Sequence, residues 1–171
     1  MHIVKRLVLI VVILVGCVGC DQTTKSIAQS YLPSAEAWSF LGDTVRLQLT
    51  YNPGAFLSLG ASLPTFWRHT LFSIGGGVLL LGLLGYALSS KRLTPVGVVA
   101  IGLYFAGGVS NLVDRWTYGG YVVDFINLGV GPVRTGIFNI ADMFVMVGAA
   151  IFLASEFHRT RFLTMCSRRT R

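Results

Sequence analysis

Four apolar stretches constrain this chain more than any other feature: Leu7 to Cys20, Leu71 to Leu88, Val96 to Leu112, and Met143 to Ala154 with apolar extensions on both sides. An α-helix that crosses the hydrocarbon of a bilayer needs about 20 predominantly apolar residues. The first and last stretches fall short of that length on their own. They reach it only if 21–28 and 137–142 continue the helices, which puts Asp21 and Asp142 at helix ends rather than at the bilayer centre. Composition points the same way. Charged residues are 12% of the chain and apolar residues 53%, whereas a soluble domain carries about 25% charged residues. Lipid is the expected solvent. The sequence predicts one integral membrane domain over 1–171, with spanning helices over about 5–27, 68–89, 95–113 and 137–158.

The net charge of +7 is distributed as a membrane protein distributes it. Lys5, Arg6, Lys91, Arg92, Arg159, Arg161, Arg168, Arg169 and Arg171 fall on one side of the predicted spans, with Glu156 the only acid there. The other side holds Lys25, Arg46, Arg68, Arg115 and Arg134 against Asp21, Glu36, Asp43, Asp114, Asp124 and Asp142. Basic residues accumulate on the cytoplasmic side of membrane proteins. Both termini are therefore expected in the cytoplasm, with the basic tail near anionic headgroups; no nucleic-acid partner is expected.

Lys5-Arg6, an apolar run and then Leu14-Val15-Gly16-Cys17 also match a cleavable lipoprotein signal peptide. The helical continuation through 21–28 and three further spans favour an uncleaved first helix. Cys17 and Cys20 form a C-x-x-C, the basis of an alternative reading as a four-helix membrane thiol oxidoreductase. Cys166 lies on the opposite side, so no second pair is available for exchange.

The connections carry their own signals. In the outer-face region 29–66, Val45, Leu47, Leu49 and Tyr51 alternate with Arg46, Gln48 and Thr50. A period of two predicts a strand with one buried face, ended by Asn52-Pro53-Gly54. In the connection 114–136, Tyr121 to Ile126 suggests a second strand, bounded by Gly119-Gly120 and Gly129, with Gly131-Pro132 breaking the chain again. The predicted fold is membrane α-helical: four transmembrane helices with a small outer-face β-sheet. Gly75, Gly76, Gly77, Gly82 and Gly85 in the second span, and Gly97, Gly102, Gly107 and Gly108 in the third, are expected at close helix contacts.

Ionisable groups near a membrane core are expensive, about 2.5–3.5 kcal/mol each at a helix centre. Asp21 and Lys25 have the i,i+4 spacing of a helical ion pair. Asn111, Asp114 and Arg115 end the third helix, and Asn139 and Asp142 enter the fourth. Asp142, within Ile140-Ala141-Asp142-Met143-Phe144, and Asp124, within Val122-Val123-Asp124-Phe125-Ile126, have no basic residue beside them in sequence. Two carboxylates facing each other in apolar surroundings would share one proton. That is the requirement for peptide hydrolysis through an activated water, one carboxylate accepting a proton while the other donates one. An ion-conducting site and a structural pair remain alternatives on these grounds alone.

Five blocks in order resemble the lipoprotein signal peptidase, or signal peptidase II, family. They are Asp21-Gln22-Thr23-Thr24-Lys25, Tyr51-Asn52-Pro53-Gly54-Ala55-Phe56, Asn111-Leu112-Val113-Asp114-Arg115, Val122-Val123-Asp124-Phe125 and Phe138-Asn139-Ile140-Ala141-Asp142. The resemblance covers nearly the whole chain. It implies an aspartic endopeptidase of the bacterial inner membrane, with its active site at the periplasmic face, that cuts prolipoproteins before their diacylglyceryl-modified cysteine. Asp124 and Asp142 would be the catalytic dyad. Asn52, Gly54, Asn111, Arg115 and Asn139 would bind substrate or brace the dyad, and Asp21, Lys25 and Asp114 would support the structure. No metal or organic cofactor is implied. Prolipoproteins, membrane lipids and globomycin-type inhibitors are the expected partners of a monomeric enzyme. Phe56-Leu57 after Gly54-Ala55, and Ser110 before Asn111, depart from the family pattern. The loop 52–58 is expected to act as a lid.

Overall fold

The computed structural model describes residues 1–33 and 36–169, with side chains through His158. The predicted headgroup contacts of Arg171, and of the side chains of Arg159, Arg161, Arg168 and Arg169, lie outside the described residues, as does the Cys166 side chain. Four helices are long and apolar enough to cross a membrane. They are α1 (Ile3–Tyr31), α2 (Thr65–Ser89), α3 (Pro95–Thr117) and α4 (Ile140–Arg169).

Helix α3 is the centre of the bundle. In its most apolar stretch 61% of the residues are buried by protein, against 17% in α1, 11% in α2 and 17% in α4; the other three present most of their surface outward, where lipid replaces a protein core. Close packing on α3 depends on glycine. A Cβ on Gly107 would collide with the Ala141 carbonyl of α4, and one on Gly148 would come within 2.6 Å of the Ala100 carbonyl of α3. The second span meets expectation only in part. An added Cβ on Gly77 would lie 3.6 Å from the Leu112 side chain of α3, a packing contact, whereas Gly82 and Gly85 are exposed with nothing within 4 Å of an added Cβ and mediate no helix contact.

Helix α1 continues through 21–28, as expected, and on to Tyr31. Its buried face carries Ile10, Cys17, Asp21, Lys25 and Ala28. Helix α3 extends past 113 to Thr117, because nothing opposes helix until Gly119 and Gly120 turn the chain with φ of +63° and +99°. Its start follows local chemistry: Thr94 accepts a hydrogen bond from Gly97 N–H at 3.1 Å, and Pro95 occupies the first turn. Helix α4 starts later than expected, at Ile140 rather than 137. The backbone of Phe138 is already committed to strand pairing with Ile126, donating to its carbonyl at 2.9 Å.

Arg6 counts in the sequence as a topology-setting charge, yet its side chain is buried. Its guanidinium donates to the carbonyls of Ala87 at 2.9 Å, Ser90 at 2.6 Å and Leu93 at 3.4 Å. It thus caps the last turn of α2, where carbonyls lack helical partners, and pins the connection to α3.

The sheet is antiparallel, ordered β1 (Trp38–Phe40), β2 (Val45–Asn52), β3 (Val122–Val130) and β4 (Val133–Arg134). Leu47 and Leu49 of β2 pack with Phe125 against Ala28 and Leu32 at the end of α1. The expected alternation fails at Tyr51, which is exposed. An irregularity in pairing between Leu47 and Thr50 shifts the register, and a one-residue shift sends the next side chain to the other face. Strand β3 runs through Gly129, where a boundary was expected, because Gly131-Pro132 makes the turn of a β3–β4 hairpin instead.

Candidate functional site

The site lies where α1, α3, α4 and the β2–β3 pair meet, and it is organised around Lys25. Lys25 Nζ is 2.7 Å from Asp21 and 2.8 Å from Asp114, all three side chains being at most 2% exposed. Buried charges are tolerated when paired and fully hydrogen-bonded. Asp21 also accepts from Ser110 Oγ at 2.7 Å, and Asp114 from Gln22 Nε2 at 2.7 Å.

Each acid of this cluster reaches a backbone amide beside another aspartate. Asp114 accepts from Val123 N–H at 3.0 Å, one residue before Asp124. Asp21 accepts from Ala141 N–H at 2.8 Å, one residue before Asp142. The ion cluster therefore holds the two chain segments that carry Asp124 and Asp142.

Three asparagines complete the arrangement. Asn139 donates from Nδ2 to Asp124 Oδ1 at 2.7 Å, while its backbone N–H donates to Asp142 Oδ2 at 3.2 Å. Asn139 Oδ1 in turn accepts from Asp142 N–H at 2.9 Å. These reciprocal bonds between Asn139 and Asp142 form a capping box that starts α4 and locks the rotamer of Asp142. Asn52 donates to Asp124 Oδ2 at 2.8 Å. Asn111 accepts from Lys25 at 3.1 Å and from Asn139 at 3.0 Å, an orientation that turns its amide NH₂ toward Asp142 Oδ1, 2.9 Å away.

Burial, and after it the negative charge of Asp142, pushes the Asp124 carboxyl up to about 7. Hydrogen bonds from Asn52 and Asn139 and the charge of Lys25 act in the opposite direction. The sequence shows no cation beside either aspartate, but tertiary structure supplies two: Lys25 through Asn111, and Arg115. A buried carboxyl shifted to near neutrality is the kind of group that acid–base chemistry uses.

Asp142 borders a cavity of about 530 Å³ between α2, α3 and α4, bounded also by Asn111, Arg115, Phe56 and Phe72. Arg115 donates to the Gly54 carbonyl at 2.8 Å and lies over the Phe72 ring with 5.9 Å to its centroid. Asp124, 1% exposed, sits behind the loop that follows β2. Asn52 folds that loop, donating to the Ala55 carbonyl at 3.0 Å and accepting from Gly54 N–H at 2.8 Å. Glycine is required at 54, since a Cβ there would lie 2.6 Å from the Leu59 carbonyl. Leu57 and Ser58 occupy the left-handed region with φ of +54° and +63°, a strain non-glycine residues rarely carry.

All ten residues singled out in the sequence thus meet in one region. Sequence reasoning gave no role to Gln22 or Ser110, which brace Asp114 and Asp21; their place one residue beyond Asp21 and before Asn111 was the available signal. Cys17 and Cys20 carry free thiols on α1, the first buried and the second exposed. Among the described residues no cluster of His, Cys, Asp and Glu suits a metal ion.

A family model described as signal peptidase (SPase) II matches residues 11–158. The lipoprotein signal peptidase of Treponema denticola is 36% identical over 130 residues, covering 74% of this chain and 75% of the relative. That of Mycobacterium tuberculosis is 32% identical over 154 residues, covering 87% and 70%. Among solved structures, a bacterial membrane enzyme determined by the in meso method at 2.3 Å superposes with a TM-score of 0.76 at 27% identity, covering 88% of each chain.

Proposed function

Because this chain belongs to the signal peptidase II family, we propose that Asp124 and Asp142 are its catalytic dyad and that cleavage falls just before a diacylglyceryl-modified cysteine. The protein is a membrane aspartic endopeptidase that removes signal peptides from prolipoproteins. The single observation that carries the dyad is Asn139, which hydrogen-bonds both carboxylates at once.

In this reading Asp142, which borders the cavity, accepts a proton from the attacking water. Asp124, held protonated near neutrality by burial, donates its proton to the carbonyl oxygen of the scissile peptide. Water oxygen bonds to the carbonyl carbon, giving a tetrahedral diol. Collapse of the diol breaks the C–N bond; the leaving amine takes a proton from Asp142, and Asp124 recovers its own from the diol hydroxyl whose oxygen becomes the carbonyl of the new carboxyl group. Asn52, Asn111 and Asn139 orient the dyad, and Arg115 with Gly54 shapes the substrate side. Asp21, Lys25 and Asp114 hold the segments on which the dyad rides.

The loop after Asn52 acts as a lid: it covers Asp124, and Phe56 stands over the cavity. The asymmetry of basic residues supports cytoplasmic termini, an outward-facing site and residence in the bacterial inner membrane. A globomycin-type cyclic peptide would compete for the cavity, and one chain contains every group the chemistry needs. The test is cleavage of a diacylated prolipoprotein by Asp124→Asn and Asp142→Asn. Each is expected to insert normally and to lose turnover; near-normal turnover by either variant excludes the dyad.

A further inference from the structure

The tips of the two β-hairpins lie side by side. Gly129 N–H donates to the Thr44 carbonyl at 2.9 Å, and Arg134 Nη1 donates to the Asp43 carbonyl at 2.8 Å. Together they present Leu41, Val130 and Val133, which are 80%, 75% and 78% exposed. Phe40 and Trp38 continue this apolar surface along β1. Leu41 and Asp43 hold φ of +53° and +71°, so the turn presents an exposed leucine from a backbone region that disfavours it. Beneath the tips Asp43 pairs with Arg46 at 2.5 Å and Arg134 at 3.4 Å, leaving one positive charge in excess.

Helix α1 gives the depth of this surface. Its 29 residues extend about 43 Å, beyond a hydrocarbon core of about 30 Å. Counted from Lys5, the basic residue that marks the opposite interface, its last two turns pass the hydrocarbon core and reach the headgroup layer. Trp38, Leu47 and Phe125 of the sheet share a groove with Thr24, Ile27 and Tyr31 of those turns. The edge strand thus lies beside α1 at interfacial depth rather than above it.

We propose that the paired hairpin tips are an interfacial anchor, with Trp38, Phe40, Leu41, Val130 and Val133 set into the adjacent leaflet and Arg46 and Arg134 facing phospholipid phosphates. An exposed apolar edge strand is an aggregation site in water, and its unpaired amides cannot enter hydrocarbon. The glycerol and ester zone satisfies both demands, and it is where Trp concentrates in membrane proteins. The anchor holds one end of the sheet at fixed depth, and β2 and β3 carry Asn52 and Asp124 toward the other.

The test is a nitroxide at Leu41→Cys, and separately at Val133→Cys, in full-length protein carrying Cys17→Ala, Cys20→Ala and Cys166→Ala. The protein is reconstituted in vesicles of phosphatidylethanolamine and phosphatidylglycerol. Collision with oxygen is expected to exceed collision with a water-soluble nickel chelate at both positions, and the reverse at a Glu36→Cys control. Preferential nickel collision at both tip positions overturns the anchor. A second measurement compares Leu41→Asp/Val133→Asp with parent enzyme. Cleavage of a prolipoprotein in vesicles should fall several-fold, while cleavage of a short lipopeptide in detergent stays unchanged; equal activity in vesicles overturns the anchor. The nitroxide readout needs no activity, so failure of the protease assignment is seen separately.

Discussion

Asn139 Nδ2 lies 2.7 Å from Asp124 Oδ1, and the same residue's backbone N–H bonds Asp142. One asparagine therefore starts a transmembrane helix and fixes the relation between the two acids.

Replacing Asn139 by Ala removes both functions of its side chain. Loss of the cap is expected to cost about 1 kcal/mol of stability. Turnover is expected to fall further than this, by about 10²-fold, because small displacements of reacting groups are penalised steeply. Thermal unfolding in detergent, measured beside prolipoprotein cleavage, separates the two effects. Equal turnover at unchanged stability would remove Asn139 from the site.

The raised Asp124 carboxyl makes both stability and rate depend on pH. Its usual value is 3.8 and its folded value about 7. Between these limits the folded protein keeps a proton that the unfolded chain has released. Its contribution to stability is therefore greatest below about pH 4, declines as pH rises, and levels off above about 7. Cleavage should show an alkaline limb near pH 7, as the acid loses its proton. Asn52→Ala, which removes a hydrogen bond that favours the charged form, should move that limb to higher pH; a shift to lower pH contradicts the assignment of Asp124 as the acid.

Lys25→Met leaves Asp21 and Asp114 buried without their cation. Removing one partner of a buried ion pair typically destabilises by about 3–5 kcal/mol. Adding Asp21→Asn and Asp114→Asn to Lys25→Met should recover part of the loss, because neutral amides do not need the missing charge. Unfolding midpoints of the single and triple variants check this. A triple variant less stable than the single one would mean that the cluster is not held by charge pairing.

Gly107→Ala places a methyl group against the Ala141 carbonyl, directly before Asp142. Overpacking of this kind typically costs about 1–3 kcal/mol. Gly82→Ala in α2, where the added methyl meets nothing within 4 Å, should leave the unfolding midpoint within error of the parent. Equal destabilisation by the two variants would contradict the packing.

Legibility from sequence varied from element to element. The four apolar stretches, the Asp21–Lys25 spacing and the breaks at Asn52-Pro53-Gly54 and Gly119-Gly120 are local signals, and they place the helices and the site residues well. The start of α4 was misread, because apolar Ile137 and Phe138 look helical until β3 claims the backbone of Phe138. Gly82 and Gly85 of α2 depart from expectation for the opposite reason. Small residues permit close packing but do not say whether another helix arrives. Arg6 reads in the sequence only as a topology-setting charge, because its carbonyl partners lie 81 to 87 residues away.

By itself, then, the sequence determined the solvent, the spans and the set of polar residues, because hydropathy, helical spacing and turn chemistry act over a few residues. Its ordered motifs also indicated the family. Tertiary structure decided how Asp124 and Asp142 are held. Lys25 from α1, Asp114 from α3 and the amide of Ala141 in α4 converge only when the bundle closes. The buried environment that raises Asp124 exists only then, since desolvation depends on what surrounds a group and not on its neighbours in the chain.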